Sequence, residues 1–485
     1  MRAPRTATVV GAGFAVWGLA VGLLRLHDNS FLTHVATGRI ILAHGLVPTQ
    51  DPYSFTAPGH GWVVESWLAS LLYGAVERVG GSHGLQLLHA AVGAGLGGLA
   101  WVLTRPARQL PGRIVAATGA LIVGTGYWSS RPLVLALVLF GVVIVMAETE
   151  RFAPWVLVPV MWLWVNLHGS WPVAVGYLGL RLIGRRLEGA PPGRLPRLLG
   201  AAGVGALAGA INPLGVRILE YPLVVLTHHQ AFRGIAEWQP PNWSDPVHVV
   251  LAAEIILAFV LLVVRRGTLE DALVTVAFAA GAAAASRNVP LAALAVTPVV
   301  ARNLAGLGRV EGREPGRPAA VALGALVAVG VIVVAGALER PAYDLSAYPV
   351  KEVSWMQRHA LVPGRTATPD YVGNYLEYRY GTGAKVFVDD RVDMFPASVE
   401  RGYGILLRGS AGWRGVLDGR GVTAVLWPRD LPLARLVAHD PHWAVVQRDP
   451  RWVVAARVGT SVVADRVGSS VVADEVGPSV PARLG

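Results

Sequence analysis

Long apolar runs recur between residues 6 and 337, and they constrain this chain more than any other feature. A run of roughly 20 apolar residues crosses a bilayer as a helix, because lipid leaves no other way to satisfy the backbone. The candidate spans are 7–26, 84–104, 114–128, 132–147, 153–167, 170–183, 198–214, 247–264, 270–286, 288–302 and 319–337. This reading predicts a mainly α, polytopic transmembrane helix bundle of about eleven spans. Only 15% of the 485 residues are charged, against roughly a quarter in a soluble protein. The first run has no small-x-small cleavage site and reads as a retained helix.

The net charge of +11 would fit a nucleic-acid partner, but its distribution does not. The arginines gather in short loops: Arg2 and Arg5; Arg105, Arg108 and Arg113; Arg185, Arg186, Arg194 and Arg197; Arg265 and Arg266; Arg302, Arg309, Arg313 and Arg317. Basic short loops mark the cytoplasmic side. With these inside, the N-terminus is cytoplasmic and no nucleic acid is expected. The parity holds only if 65–79, with Glu65, Glu77 and Arg78, is an amphipathic helix in the interface rather than a span. Segment 27–83 then becomes the first outward loop of a bundle covering 1–338. No cysteine is present, which excludes disulfides and thiolate metal sites.

Residues 339–457 carry more charge and strand-like runs at 385–389, 422–427, 443–446 and 452–456. The last two form a predicted hairpin about Asp449-Pro450. Helices are expected near 350–360 and 397–407. Together these predict a small extracytoplasmic α/β domain of about 120 residues. From Val458 a nine-residue period (VGTSVVADR, VGSSVVADE) marks 458–485 as a low-complexity repeat tail.

Polar residues concentrate on the outward segments: Asp28, His34, Asp51, Glu65, Arg131, His168, Asn212, His228, His229, Glu237, Trp238, Arg287 and Asn288. An acid just above the bilayer, such as Asp28, can take a proton from an acceptor hydroxyl. It can equally end a helix in headgroup water. Asp51 precedes Pro52 in a turn and either caps that turn or shares a site with Asp28. Glu65 opens the interfacial helix, where a carboxylate suits the dipole. Arg131 and Arg287 each sit alone on a short turn. Either could snorkel to lipid phosphate or clamp a phosphorylated headgroup. Trp238, in the Pro-rich 235–243, fits an interfacial anchor or a platform for a sugar ring. The outward histidines make a divalent cation conceivable, but no tight ligand spacing supports one. Three acids within 389–393 fit either a cation or an internal Asp–Arg pair. Glu254, inside a span, is costly unless paired.

"HDNSFLTHVATGRIILAHGLVPTQDPYSFTAPGHGW", "WLWVNLHGSW", "INPLGVRILEYP", "IAEWQPPNWSDP", "SRNVPL" and "VFVDDRVDMF" occur in this order. Together they resemble a family of bacterial polytopic membrane proteins similar to GT-C type glycosyltransferases. The resemblance covers the chain to about residue 457. It implies an enzyme of the bacterial plasma membrane that moves a sugar from a polyprenyl-phosphate donor to an extracytoplasmic acceptor: glycan, lipid or protein. Asp28 matches the first acid of the family's loop. The family often has a second acid two positions on, where this chain has Ser30, and that departure raises the claim of Asp51 as base. His34 matches the loop histidine, and Arg287 lies in the family's "RN-P" turn. The resemblance leaves the phosphate to Arg131 or Arg287. From a different class, a transporter or an envelope-assembly scaffold would need no base. A transporter should show internal repeats and polar groups at the midplane, and the sequence shows no such repeat.

Overall fold

A computed structural model describes residues 5–128, 130–227, 236–305 and 317–463. The expectations for Arg2, His228, His229, Arg309, Arg313 and most of the repeat tail fall outside these residues. The chain divides into two compact units. The first holds 1–47 and 63–344, the second 48–62 and 345–485.

The first unit is helical. Its helices are α1 (Thr6–Gly22), α2 (Asn29–His44), α3 (Trp67–Leu103), α4 (Leu110–Thr125), α5 (Pro132–Glu148), α6 (Leu157–Leu167) and α7 (Pro172–Leu187). They continue as α8 (Leu195–Ala208), α9 (Arg217–Thr227), α10 (Pro246–Arg265), α11 (Leu269–Ala284), α12 (Val289–Asn303) and α13 (Arg317–Leu338). Among the described residues, three helical stretches suit a membrane crossing by length and composition: Trp67–Ala107, Pro246–Arg265 and Arg317–Leu338. Several shorter helices, among them α1, α4 and α5, are also apolar.

Small residues set the helix spacing. Gly18 and Gly22 of α1 lie on the backbone of α3 at Gly93 and His89, and Gly38 of α2 lies on Ser70. A Cβ at any of these three would collide with the opposing carbonyl. Close approach of this kind drives helix association where no hydrophobic effect operates. The buried α12 runs through the middle, with every residue except Arg302 inside. The stretch 65–79 falls mostly in the first part of α3, which Gly81 (φ 60°, ψ −157°) divides at a kink into two helices, so it forms a helix distinct from the apolar run that follows.

At one end of the bundle, four helix termini meet in an ionic network. Arg181 of α7 binds Glu148 of α5 (2.6 Å) and Glu270 of α11. Arg185 also binds Glu270 (2.6 Å), and Arg302 of α12 binds Glu148 (2.9 Å) and Asp271 (3.1 Å). Glu270 and Asp271 lie in the first turn of α11, while Arg185 and Arg302 lie in last turns, so each charge complements its own helix dipole.

The second unit contains α14 (Val350–Arg358), α15 (Asp370–Tyr380), α16 (Ala397–Arg408), α17 (Trp413–Gly419) and α18 (Pro432–Ala438). Its strands are β1 (Thr366–Ala367), β2 (Ala424–Pro428), β3 (Trp443–Arg448) and β4 (Trp452–Arg457), in spatial order β1-β2-β4-β3. β1 and β2 are parallel and the other pairs antiparallel, with an irregularity between Val445 and Gln447. β2 and β4 are almost wholly buried, which explains their unbroken apolar runs. Residues 385–389 are not a strand: Val386 makes only isolated bridges, to Ser54 and Thr366. Their apolar pattern reflects burial of Val386, Phe387 and Val388.

Candidate active site

Asp28 ends the turn after α1 and caps α2, accepting the Ser30 amide at 3.0 Å through Oδ1. An aspartate here satisfies one of the free N–H groups at the helix start. Its Oδ2 accepts from Nε of Arg131, and Nη1 of Arg131 donates to Glu237. Arg131 is itself the N-cap residue of α5, and Glu237 lies in a short 3-10 turn at Ala236–Trp238. The three side chains come from elements up to 209 residues apart, and they are partly shielded: 7% exposed at Asp28, 28% at Arg131 and 31% at Glu237. Arg131 is therefore neutralised from two sides.

Arg287 stands differently. It sits in the turn Ser286–Asn288, with its guanidinium 4.0 Å above the Trp238 ring. Among the described residues it donates no hydrogen bond to an acceptor, although Tyr221 and Glu65 exert a favourable field on it. Burial pulls this group below the ordinary guanidinium range. The turn is held from behind, because Ser286 donates through N to Gln239 O (2.9 Å) and through Oγ to Glu237 O (3.1 Å).

Two histidines complete the cluster. Nδ1 of His34, on α2, is 2.9 Å from Ser70 Oγ on α3. Nδ1 of His168 is 2.9 Å from Ser170 Oγ in the turn after α6. Glu65 accepts the Gly169 amide at 3.1 Å, which ties the start of α3 to that turn. Burial pulls His34 down to about 4, with Asp28 opposing and Arg131 assisting. Burial also pulls His168 to about 3, helped by Arg287, His34 and Arg131. Both rings are neutral at pH 7 and serve as hydrogen-bonding groups.

Asp28, His34, Glu65, Arg131, His168, Glu237, Trp238 and Arg287 thus gather in the first unit. Asp51 does not join them. It lies in the second unit, buried, accepting the amides of Tyr53 (3.1 Å) and Ser54 (3.0 Å) and an N–H of Arg391 (2.8 Å). Arg391 also binds Asp389 (2.6 Å), lies 3.5 Å from Glu377, and sits over the rings of Tyr53 (4.9 Å) and Trp62 (4.5 Å). The acids near 389 therefore form an internal Asp–Arg pair. Burial works against Asp389, but the Arg391 guanidinium holds its carboxyl below the usual range. Among the described residues no three His, Asp or Glu side chains converge as a metal-ligand set. The sequence reading missed Ser70 and Tyr221. Ser70 shows its role only once α2 lies on α3, and Tyr221 only once it covers Gly169.

The chain has a counterpart among solved structures. It is similar to the Archaeoglobus fulgidus oligosaccharyltransferase in its apo form, with a TM-score of 0.52 over 89% of this chain and 70% of that one. Identity is 12%, so the likeness is one of fold, and it agrees with the GT-C resemblance drawn from the sequence. No protein-family model and no curated protein matches the chain.

Proposed function

We propose, from this shared membrane-protein fold, that the protein is a GT-C type glycosyltransferase of the bacterial plasma membrane. In this reading about eleven helices span the bilayer, the N-terminus is cytoplasmic and 339–457 lie outside. The enzyme moves a sugar from a polyprenyl-phosphate donor to an extracytoplasmic acceptor. One observation carries the assignment of roles: of the two arginines at the cluster, Arg131 is claimed by two carboxylates, while Arg287 lies over the Trp238 ring and donates to no described residue. A half-buried guanidinium with open donors is suited to a phosphate.

Asp28 is the base. An ionised carboxylate offers about four lone-pair sites, and the Ser30 amide and Arg131 take two, which leaves room for an acceptor hydroxyl. As that oxygen bonds to the anomeric carbon, its proton passes to Asp28 and the bond from carbon to phosphate oxygen breaks. Arg287 meets the negative charge on the departing lipid phosphate. Arg131 fixes the Asp28 rotamer. The neutral His34 and His168 and the carboxylates Glu65 and Glu237 supply hydrogen-bond partners for sugar hydroxyls, with Trp238 as the apolar platform. Asp51 has a structural role, because its oxygens are occupied within the second unit.

The test uses full-length protein in liposomes, a panel of polyprenyl-phosphate sugars and cellular envelope glycans as readout. Asp28→Asn is expected to lower turnover at least a hundredfold, as loss of a general base does. Arg287→Gln is expected to weaken donor binding as well. Unchanged glycans in both variants would instead favour a scaffold. A loss on Glu254→Gln alone would favour a transporter, since neither oxygen of that buried acid has a partner among the described residues.

A further inference from the structure

A cavity of about 670 Å³ opens on the flank of the first unit between α1, α4 and α13. Val9, Gly13 and Trp17 line it from α1, Leu121 from α4, and Leu326 and Val329 from α13. The wall is apolar apart from Thr118. A space of this size and lining gives water no partners, and close-packed proteins do not keep such voids empty inside a bilayer.

The three helices run in the same direction. Arg113, early in α4, lies 3.9 Å over Trp101, and Trp101 stacks on Phe14 of α1 at 5.4 Å. Gly330 of α13 faces Val16, and beyond both helices Leu26 N bonds to Ala342 O. Their starts therefore share one end, and each start carries an arginine just before the cavity: Arg5 four residues before Val9, Arg113 five before Thr118, and Arg317 five before Ala322. At 1.5 Å per residue the Cα atoms of these arginines stand about 6–8 Å along the axis from the first lining residue of each helix. None of the three helices has an acid in its first turn. Arg113 is held in place, donating to Thr104 Oγ1 (3.1 Å) and Trp101 O (3.0 Å).

We propose that this groove is a binding site for an anionic phospholipid of the leaflet on the arginine-loop side. One acyl chain fills the space between α1, α4 and α13, and the phosphate meets Arg5, Arg113 and Arg317. Charge complementarity selects the occupant: an apolar slot continuous with a cationic rim fits an amphiphile with an anionic head. The polyprenyl-phosphate donor is a different ligand, because its phosphate belongs with Arg287, beyond the opposite end of α1. That helix of 17 residues separates the two ends by about 25 Å. The site is independent of whether a sugar is transferred.

The experiment is native mass spectrometry of the full-length protein from vesicles of equal dioleoyl phosphatidylglycerol and phosphatidylcholine, repeated with undecaprenyl phosphate added. The wild type is expected to retain one phosphatidylglycerol in preference to phosphatidylcholine. Replacing Arg5, Arg113 and Arg317 with Gln should reduce that preference about fivefold per arginine. Gly13→Phe with Ala325→Phe should abolish retention by filling the slot. If the filled variant does not fold, the three arginine variants still decide the matter. Equal retention of both phospholipids by the wild type overturns the proposal. So does retention that survives the arginine changes, or displacement of phosphatidylglycerol by undecaprenyl phosphate.

Discussion

Arg181 and Arg185 lie one turn apart on α7, and both bind Glu270. They differ in burial: 3% of the Arg181 side chain is exposed, against 34% for Arg185. At an effective dielectric near 20, unit charges 2.6 Å apart attract by about 6 kcal/mol. Arg181 has one contact at that distance, with Glu148, and a second ion pair with Glu270, but taking the ions out of water costs several kcal/mol each. Removing one partner of a buried pair is nevertheless severe, because the charges left behind keep that cost. Arg181→Met leaves Glu148 to Arg302 alone and Glu270 to Arg185 alone. We expect a loss of about 3–5 kcal/mol. Arg185→Met breaks a half-exposed pair and should cost about 1 kcal/mol or less. SDS titration of the purified protein in mixed micelles, read by tryptophan fluorescence, measures both. Arg181→Met paired with Glu148→Gln and Glu270→Gln should recover part of the loss, since no unmatched carboxylate then remains. Equal losses for the two single variants would refute the reasoning, because helix position would then matter and burial would not.

Other outcomes follow from the same contacts. Asp28→Asn keeps a capping side chain, whereas Asp28→Ala should cost about 1 kcal/mol more in the same titration; equal midpoints would remove the cap from the account. His34 and His168 have folded-state values of about 4 and about 3, below the ordinary 6.5, so the unfolded chain binds more protons in between. Stability should therefore fall as pH drops from about 6.5 towards 4, and the His34→Gln, His168→Gln double variant should flatten that slope; an unchanged slope would assign it to other groups. Glu254→Met should raise stability by about 1–3 kcal/mol, because it removes a buried group with no described partner; a lower midpoint would mean that the carboxyl has a partner after all.

The helical character of the first unit was legible because bilayer-length apolar runs admit few other structures. The hairpin of β3 and β4 was legible too, because both the strand chemistry and the turn at Asp449-Pro450 are local. Residues 385–389 were not, since a short buried apolar run looks like a strand whether or not a neighbour pairs with it. Charge parity alone brings Arg131 and Arg287 to one face. Which of them is already paired depends on Asp28, 103 residues before Arg131, and on Glu237, 106 residues after it. No local pattern encodes such distances. The place of Asp51 was hidden for the same reason. Its partner Arg391 is 340 residues downstream, while the turn chemistry around Pro52 is visible on the spot.

That separation has a consequence for how the protein is made. The cage around Arg391 closes only with Asp51, Tyr53 and Trp62, which leave the ribosome long before it does. At 5–20 residues per second, those 340 residues take roughly 17–68 seconds to synthesise. Throughout that interval the early segment must wait, its carboxylate and rings without their guanidinium, while most of the helices are being made. A nascent chain arrested before residue 391 should therefore leave 48–62 open to protease, and a fragment starting at residue 345 should be unable to assemble its own centre.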